Sequence, residues 1–166
     1  WPVAPDGTDT QILHQTEFKI GKGQFVFNNW RETEELVSHG KDYPYILTTN
    51  RELEHYNCGA MTRRTGNVEI LKDDYLMINP EDAAKHFISE GDYVCLESPR
   101  GKVDVKAKIT DQVKSGVVST TFHFPEIMIN NITGDVHDSE AMCPEYKVVA
   151  VKIRKSKGKF KQLAEV

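Results

Sequence analysis

The sequence predicts a mainly β fold, a closed β-barrel with a few short helices, and three observations predict it. Short runs rich in β-branched and apolar residues recur between turn residues, at 45–47, 92–97, 102–109, 117–124 and 148–153. Two of them, 92–97 and 102–109, flank the turn Ser98-Pro-Arg-Gly101 and so form a hairpin. Only two or three stretches carry helix signals, and short strands with so few helices bury their apolar faces by closing on themselves.

The elements follow in order. Residues 24–27 form a short strand after the Gly21-Lys-Gly turn, and residues 31–38 a short acidic helix closed by Gly40. Tyr45, Ile46 and Leu47 open a buried strand that Thr48 and Thr49 extend. Asn79-Pro80-Glu81-Asp82 starts a helix, because asparagine caps, proline fits the first helical position and acids favour the positive end of the helix dipole. Ala83, Ala84, Phe87 and Ile88 share one face of that helix, and Gly91 ends it. Along 102–109, Val103, Val105, Ala107 and Ile109 point inward. Residues 117–124 and 148–153 complete the set, the latter alternating valine and isoleucine with lysine.

A length of 166 residues suits one domain whose core forms without disulfides or metals. With 39% hydrophobic and 28% charged residues, and no apolar run near the ~18 residues of a membrane span, the sequence is that of a soluble piece, expected in the cytoplasm. Its start, Trp1-Pro-Val-Ala-Pro-Asp-Gly, reads like an interdomain linker, so a longer protein is expected around it. A net charge of −4 argues against a general nucleic-acid binder. Lys152, Arg154, Lys155, Lys157, Lys159 and Lys161 crowd the tail, where a solvated end or a contact with a neighbouring subunit is favoured over nucleic acid. Cys58, Cys95 and Cys143 lie too far apart for a metal motif, and Cys95, in an alternating apolar run, reads as a buried thiol. His55-x-x-Cys58 offers only two ligands, too few for a metal site.

The chemistry concentrates in residues 43–64, where a short apolar run breaks into Asn50, Arg51, Glu52, His55, Tyr56, Thr62, Arg63 and Arg64. That mixture suits an anionic ligand rich in heteroatoms. An arginine fork matches phosphate, carboxylate, imidazole and carboxamide groups pair with a heterocycle edge, and aromatic rings stack. Each residue type also has a plain structural use. Arg51 can form a surface ion pair with Glu52 or Glu54, His55 can be a hydrogen-bonded structural histidine, and Tyr56 and Tyr146 can be core aromatics. Arg63 and Arg64 stand open between phosphate and contact with further domains.

This segment resembles the molybdopterin-dinucleotide-binding domain that closes the large subunit of molybdenum and tungsten oxidoreductases, the formate dehydrogenases above all. Two further blocks are similar to the same family in the same order, Gly116-Val-Val-Ser-Thr-Thr-Phe-His-Phe124 with Asn130-Asn-Ile-Thr133, and Pro144-Glu-Tyr-Lys-Val-Val-Ala-Val151. The resemblance implies a six-stranded double-psi β-barrel at 43–154, a lead-in at 1–42 packing on it, and a basic tail at 155–166. It implies molybdopterin guanine dinucleotide as cofactor, in a bis form with molybdenum or tungsten in the whole enzyme, and no metal held by this chain. It also implies cofactor-facing roles for Thr49, Arg51, Glu52, His55, Tyr56, His123, Phe124, Asn130, Tyr146 and Lys147.

Catalytic residues are expected elsewhere, since no phosphate loop, nucleophile elbow or triad is present. By resemblance, the partners are the remaining domains of the large subunit and an electron-transfer subunit. The whole enzyme would carry two electrons between formate and carbon dioxide. The alternatives are the same domain from a nitrate reductase-like relative, a protein-binding double-psi barrel, and a nucleic-acid-binding barrel. The last is disfavoured because the strands lack repeated exposed aromatics.

Overall fold

The structure, a computed structural model, describes residues 3–158. The chain divides into two units, Trp1–Arg31 and Glu32–Val166. The first has one bridge, Val3 to Asp9, around a turn in which the Asp6 carboxylate accepts the Thr8 N–H at 3.0 Å, and no regular helix or strand among its described residues. The strand expected at 24–27 is absent, and Phe25 and Phe27 are fully exposed. A strand needs a partner for its backbone groups, and no neighbouring strand supplies one there.

The second unit is the barrel. Its strands are β1 (Tyr45–Thr49), β2 (Tyr75–Ile78), β3 (Tyr93–Ser98), β4 (Gly101–Ile109), β5 (Val117–Thr120) and β6 (Val149–Lys155), closed in the order β1-β5-β2-β4-β3-β6. Pairs β1/β5 and β2/β4 are parallel, and the other four are antiparallel. Advancing every strand number by three maps this scheme onto itself, so two three-strand halves interlock about a pseudo-twofold axis. That is the double-psi barrel. β2 carries little sequence signal, because its four residues, Tyr-Leu-Met-Ile, are all apolar or aromatic although only Leu76 and Ile78 are buried. β5 stops at Thr120, and the expected continuation to Phe124 turns away to build the rim.

Inward residues fill the barrel as the register dictates. Leu47 pairs with Val118 and Val149, Leu76 with Ala107, Val94 with Val105, and Leu96 with Val103 and Ile153; all are buried. Cys95 is fully buried as well, while Cys58 and Cys143 are exposed. Of the basic tail, Lys152, Arg154 and Lys155 belong to β6, and Lys159 and Lys161 lie outside the described residues.

Helix α1 (Glu34–His39) is capped by Thr33, and α2 (Asn67–Ile70) is a single turn. Helix α3 (Pro80–Lys85) starts as its sequence dictates, Asn79 Oδ1 accepting the Glu81 N–H at 3.0 Å. It ends sooner than expected. Phe87 turns into the left-handed region at φ 54° and lies exposed, as does Ala84, whereas Ala83 and Ile88 close that end of the barrel. His86 caps the helix and bonds the Tyr45 hydroxyl at 2.8 Å.

Two buried acids tie the helices to the strands. Asp82 accepts the Gly116 N–H at 2.7 Å, the Ser115 hydroxyl at 2.8 Å and the Lys85 ammonium at 3.0 Å. Glu35, 2% exposed, takes both arms of Arg100 at 2.5 and 3.1 Å and the Ala150 N–H at 3.0 Å.

Two outcomes follow from these acids. Arg100→Ala strands a buried carboxylate and should lower unfolding free energy by about 3 kcal/mol, read as a lower denaturation midpoint; an unchanged midpoint would show Glu35 relaxing into water. Burial pushes the Asp82 carboxyl up, but its bonds to Gly116, Lys85 and Ser115 outweigh burial and hold it below its ordinary 3.8. The stabilisation is therefore complete above pH 3.8 and is lost as pH falls through the lower folded value. Asp82→Asn should flatten that part of the acid-unfolding curve.

Candidate functional site

The strand directions decide where a site can form. β1 and β5 are parallel neighbours, so the chain leaves both at one rim, with Thr49 opposite Thr120. β6 runs antiparallel to β1 and β2 antiparallel to β5, so the residues entering β6 and β2 arrive at that same rim. The loop 50–58 that leaves β1 and the long β5–β6 connection, residues 121–148, thus meet there although they are some seventy residues apart in sequence. The opposite rim is closed by α3.

An open cleft of about 370 Å³ lies between these loops, lined by Thr49, Arg51, Phe122, Asn130 and Tyr146 together with Asn57, Cys58, Ile129 and Thr133. Arg51 is exposed, and its guanidinium carbon stands 5.9 Å from the ring centres of both Tyr56 and Phe122. Among the described residues it has no carboxylate partner, so the ion pair with Glu52 or Glu54 does not form. Thr49 donates its hydroxyl to the Tyr146 carbonyl at 3.3 Å, and the Lys147 ammonium caps the Thr49 carbonyl. Asn130 is exposed on the short 3₁₀ turn Ile129–Asn131.

Of the ten residues expected at the site, Thr49, Arg51, Asn130 and Tyr146 share this lining, and Tyr56 stands beside it through Arg51. The other five stand behind it. Glu52 is half-buried; its carboxylate accepts the Tyr75 hydroxyl, and its N–H donates to His123 Nε2 at 3.0 Å. His55 is buried, with Nε2 on the Leu71 carbonyl at 2.9 Å and Nδ1 on the Thr62 hydroxyl at 3.0 Å. Phe124 is buried with its ring centre 5.3 Å from that of His55 and 4.7 Å from the Arg63 guanidinium carbon. His123 is fully buried, and Lys147 is turned to Thr49. Arg63 is occupied by Glu126 at 2.6 Å.

Sequence reasoning missed Asp74, Phe122, Asn57 and Cys58. Asp74 is 1% exposed and accepts the Thr121 hydroxyl, the His123 N–H at 3.0 Å and the Phe124 N–H at 2.9 Å. Only its place just ahead of β2 would have suggested it. Asn57 is left-handed at φ 48°, and Gly59 packs so closely that a Cβ there would meet the His123 carbonyl at 2.7 Å. The loop therefore lies directly against the segment 121–124.

Burial first, and then the Glu52 hydrogen bond and the charges of Glu52, Glu54 and Asp74, push the Tyr75 phenol far above its ordinary 10.0.

The profile of the family described as "Molydopterin dinucleotide binding domain" matches residues 45–150, which takes in all of β1 to β5 and the start of β6. The chain belongs to that family. It is 42% identical over 93% of its length to the "F420-dependent formate dehydrogenase subunit alpha" of Methanocaldococcus jannaschii, covering 23% of that protein. It is 37% identical over 94% of its length to the "Nitrate reductase" of Symbiobacterium thermophilum, again covering 23%. The chain thus spans less than a quarter of the curated relatives it matches. The solved "Acetylene Hydratase from Pelobacter acetylenicus" has the same fold, with a TM-score of 0.63, 17% identity, and coverage of 73% of this chain and 19% of that one.

The residues fit the family's cofactor. A pyrophosphate calls for a cation not tied to a carboxylate, and Arg51 has no carboxylate partner among the described residues; heterocycles call for a carboxamide and aromatic walls, the types that Asn130, Phe122 and Tyr146 bring to the cleft. Among the described residues no cluster of three metal-ligating side chains occurs, and no helix is long and apolar enough to cross a membrane.

Alkaline titration followed by tyrosinate absorbance should show Tyr75, and to a lesser extent the buried Tyr45, ionising after the other tyrosines. The folded state favours the neutral Tyr75 phenol, so its contribution to stability holds below pH 10.0 and is lost as pH rises through the folded value. Tyr75→Phe should remove the last step of the titration; a single uniform transition in the unaltered protein would contradict the buried pairing.

Proposed function

We propose that this domain forms one wall of the dinucleotide site in a formate-oxidising large subunit. The observation that carries it is Arg51, a guanidinium with no carboxylate partner among the described residues, placed just past the end of β1 in the cleft, 5.9 Å from the ring centres of both Tyr56 and Phe122. Arg51 would hold the pyrophosphate as a bidentate fork, Asn130 would pair with a heterocycle edge, and Phe122, Tyr56 and Tyr146 would cover ring faces and keep water from the phosphate contact. Thr49 and Lys147 support this through the backbone at the strand end. When bound, the cofactor supplies the two-electron redox chemistry at its metal, and the protein contributes binding, orientation and electrostatics.

Formate as substrate is favoured over nitrate by the 42% identity with a formate dehydrogenase alpha subunit against 37% with a nitrate reductase. Molybdenum or tungsten in a bis form, and an electron-transfer subunit as partner, belong to the same proposal. So do the remaining domains of the subunit as the other walls of the site.

Arg51→Ala in the full-length subunit should lower the guanine nucleotide and pterin released per subunit on denaturation. Arg51→Lys keeps the charge but not the fork and should fall between, the loss being about 1–3 kcal/mol of affinity for a hydrogen bond to a charged group. Full cofactor content in Arg51→Ala would remove Arg51 from the site.

A further inference from the structure

His123 is the most deeply buried polar ring of the rim, and both of its nitrogens are already occupied by backbone. Nε2 accepts the Glu52 N–H at 3.0 Å, and Nδ1 lies 2.5 Å from the Asn57 carbonyl. A carbonyl only accepts, so the hydrogen-bond network assigns the Nδ1–H tautomer. The two groups it holds bracket the loop segment 52–57, one residue beyond Arg51 and at the edge of Cys58. Behind the ring, Asp74 fixes the backbone of the same residue, accepting the His123 and Phe124 N–H groups and the Thr121 hydroxyl. Asp74 directly precedes β2, so the chain of bonds runs from the barrel wall, through residues 121–124, across the imidazole, to the loop that presents Arg51. Gly59 lets this loop touch the His123 carbonyl directly.

We propose that His123, anchored by Asp74, is a positioning residue that sets the cleft loop in place and makes no contact with the dinucleotide. The inference rests on the reading of the cleft as the dinucleotide site. An imidazole with both nitrogens spent on backbone has no donor or acceptor left for a ligand. Without it, the Glu52 N–H and Asn57 carbonyl of two half-buried residues lose their partners, and the loop is free to open locally. Arg51 would then sample many positions, and a phosphate fork works only when pre-set.

The test compares His123→Phe, which keeps the ring volume and removes both bonds, with His123→Gln, whose side-chain oxygen reaches toward the Nε2 position. Hydrogen exchange by mass spectrometry on the full-length subunit should show the peptide containing Glu52 exchanging about tenfold faster in His123→Phe, with peptides of β4 unchanged. Bound guanine nucleotide should fall in parallel, and His123→Gln should recover part of both. Unchanged exchange at Glu52 in His123→Phe would overturn the proposal, as would lost nucleotide with normal exchange, which would make His123 a ligand contact.

Should His123→Phe fail to fold, the unaltered 166-residue chain, labelled with nitrogen-15 in histidine and arginine, carries the test. Guanosine diphosphate is added while the His123 ring and Arg51 guanidinium signals are followed. The His123 signals should report the Nδ1–H tautomer and stay in place while Arg51 shifts. Any other tautomer, or a His123 ring shift as large as that of Arg51, would overturn the proposal. A still Arg51 would count against the proposed function instead, and the tautomer would still decide the role of His123.

Discussion

Because β1 and β5 lie side by side and run the same way, two strands separated by some seventy residues, Ile46 beside Val117, deliver their ends to one rim of the barrel. Parallel neighbours cannot be joined by a short turn, so each end must continue into a long excursion. Those excursions are the loops that line the cleft. Had the two strands paired antiparallel, Thr49 and Phe122 would have left by opposite ends and no shared site would exist.

Three buried carboxylates give the loops their shape. Glu35 binds α1 to the β3–β4 turn and to β6, Asp82 binds α3 to the entry of β5, and Asp74 binds the start of β2 to residues 121–124. In each case the carboxylate accepts two or more hydrogen bonds, so its burial is compensated rather than strained. These three acids, invisible in a composition that shows only a modest negative excess, are therefore structural pins. Arg51, by contrast, lines the cleft with no carboxylate partner among the described residues, packed only near the Tyr56 and Phe122 rings.

The strands with clean alternation were legible in the sequence. Val103, Val105 and Ala107 point inward as their period requires, and Asn79-Pro80 starts its helix. β2 was not legible, because Tyr75 and Met77 on its part-exposed side are as apolar in type as the buried Leu76 and Ile78 and leave no alternation in the sequence, and Phe25 and Phe27 looked like a strand because apolar spacing says nothing about the presence of a pairing partner. At the site, residue type located the rim but not the layer. Arg51 and Asn130 line the cleft whereas His55 and His123 lie behind it, and imidazole, which suits a ligand and a buried strut equally well, carries no mark of which it will be. Asp74 had no motif at all, since its role comes from backbone groups fifty residues away.

The closure of the barrel also governs the order in which it can be built. β6 is the last strand of the barrel among the described residues, and it supplies one neighbour of both β1 and β3, Leu47 meeting Val149 and Leu96 meeting Ile153. Until it is made, two sheet edges stay open with their backbone groups unpaired and their apolar faces wet. Contacts spanning about a hundred residues close slowly, because loop entropy must be overcome before any of them is rewarded. During synthesis the nascent barrel is thus most vulnerable to misassociation just before β6 emerges, and the rim that holds the cleft takes shape only when that strand is in place.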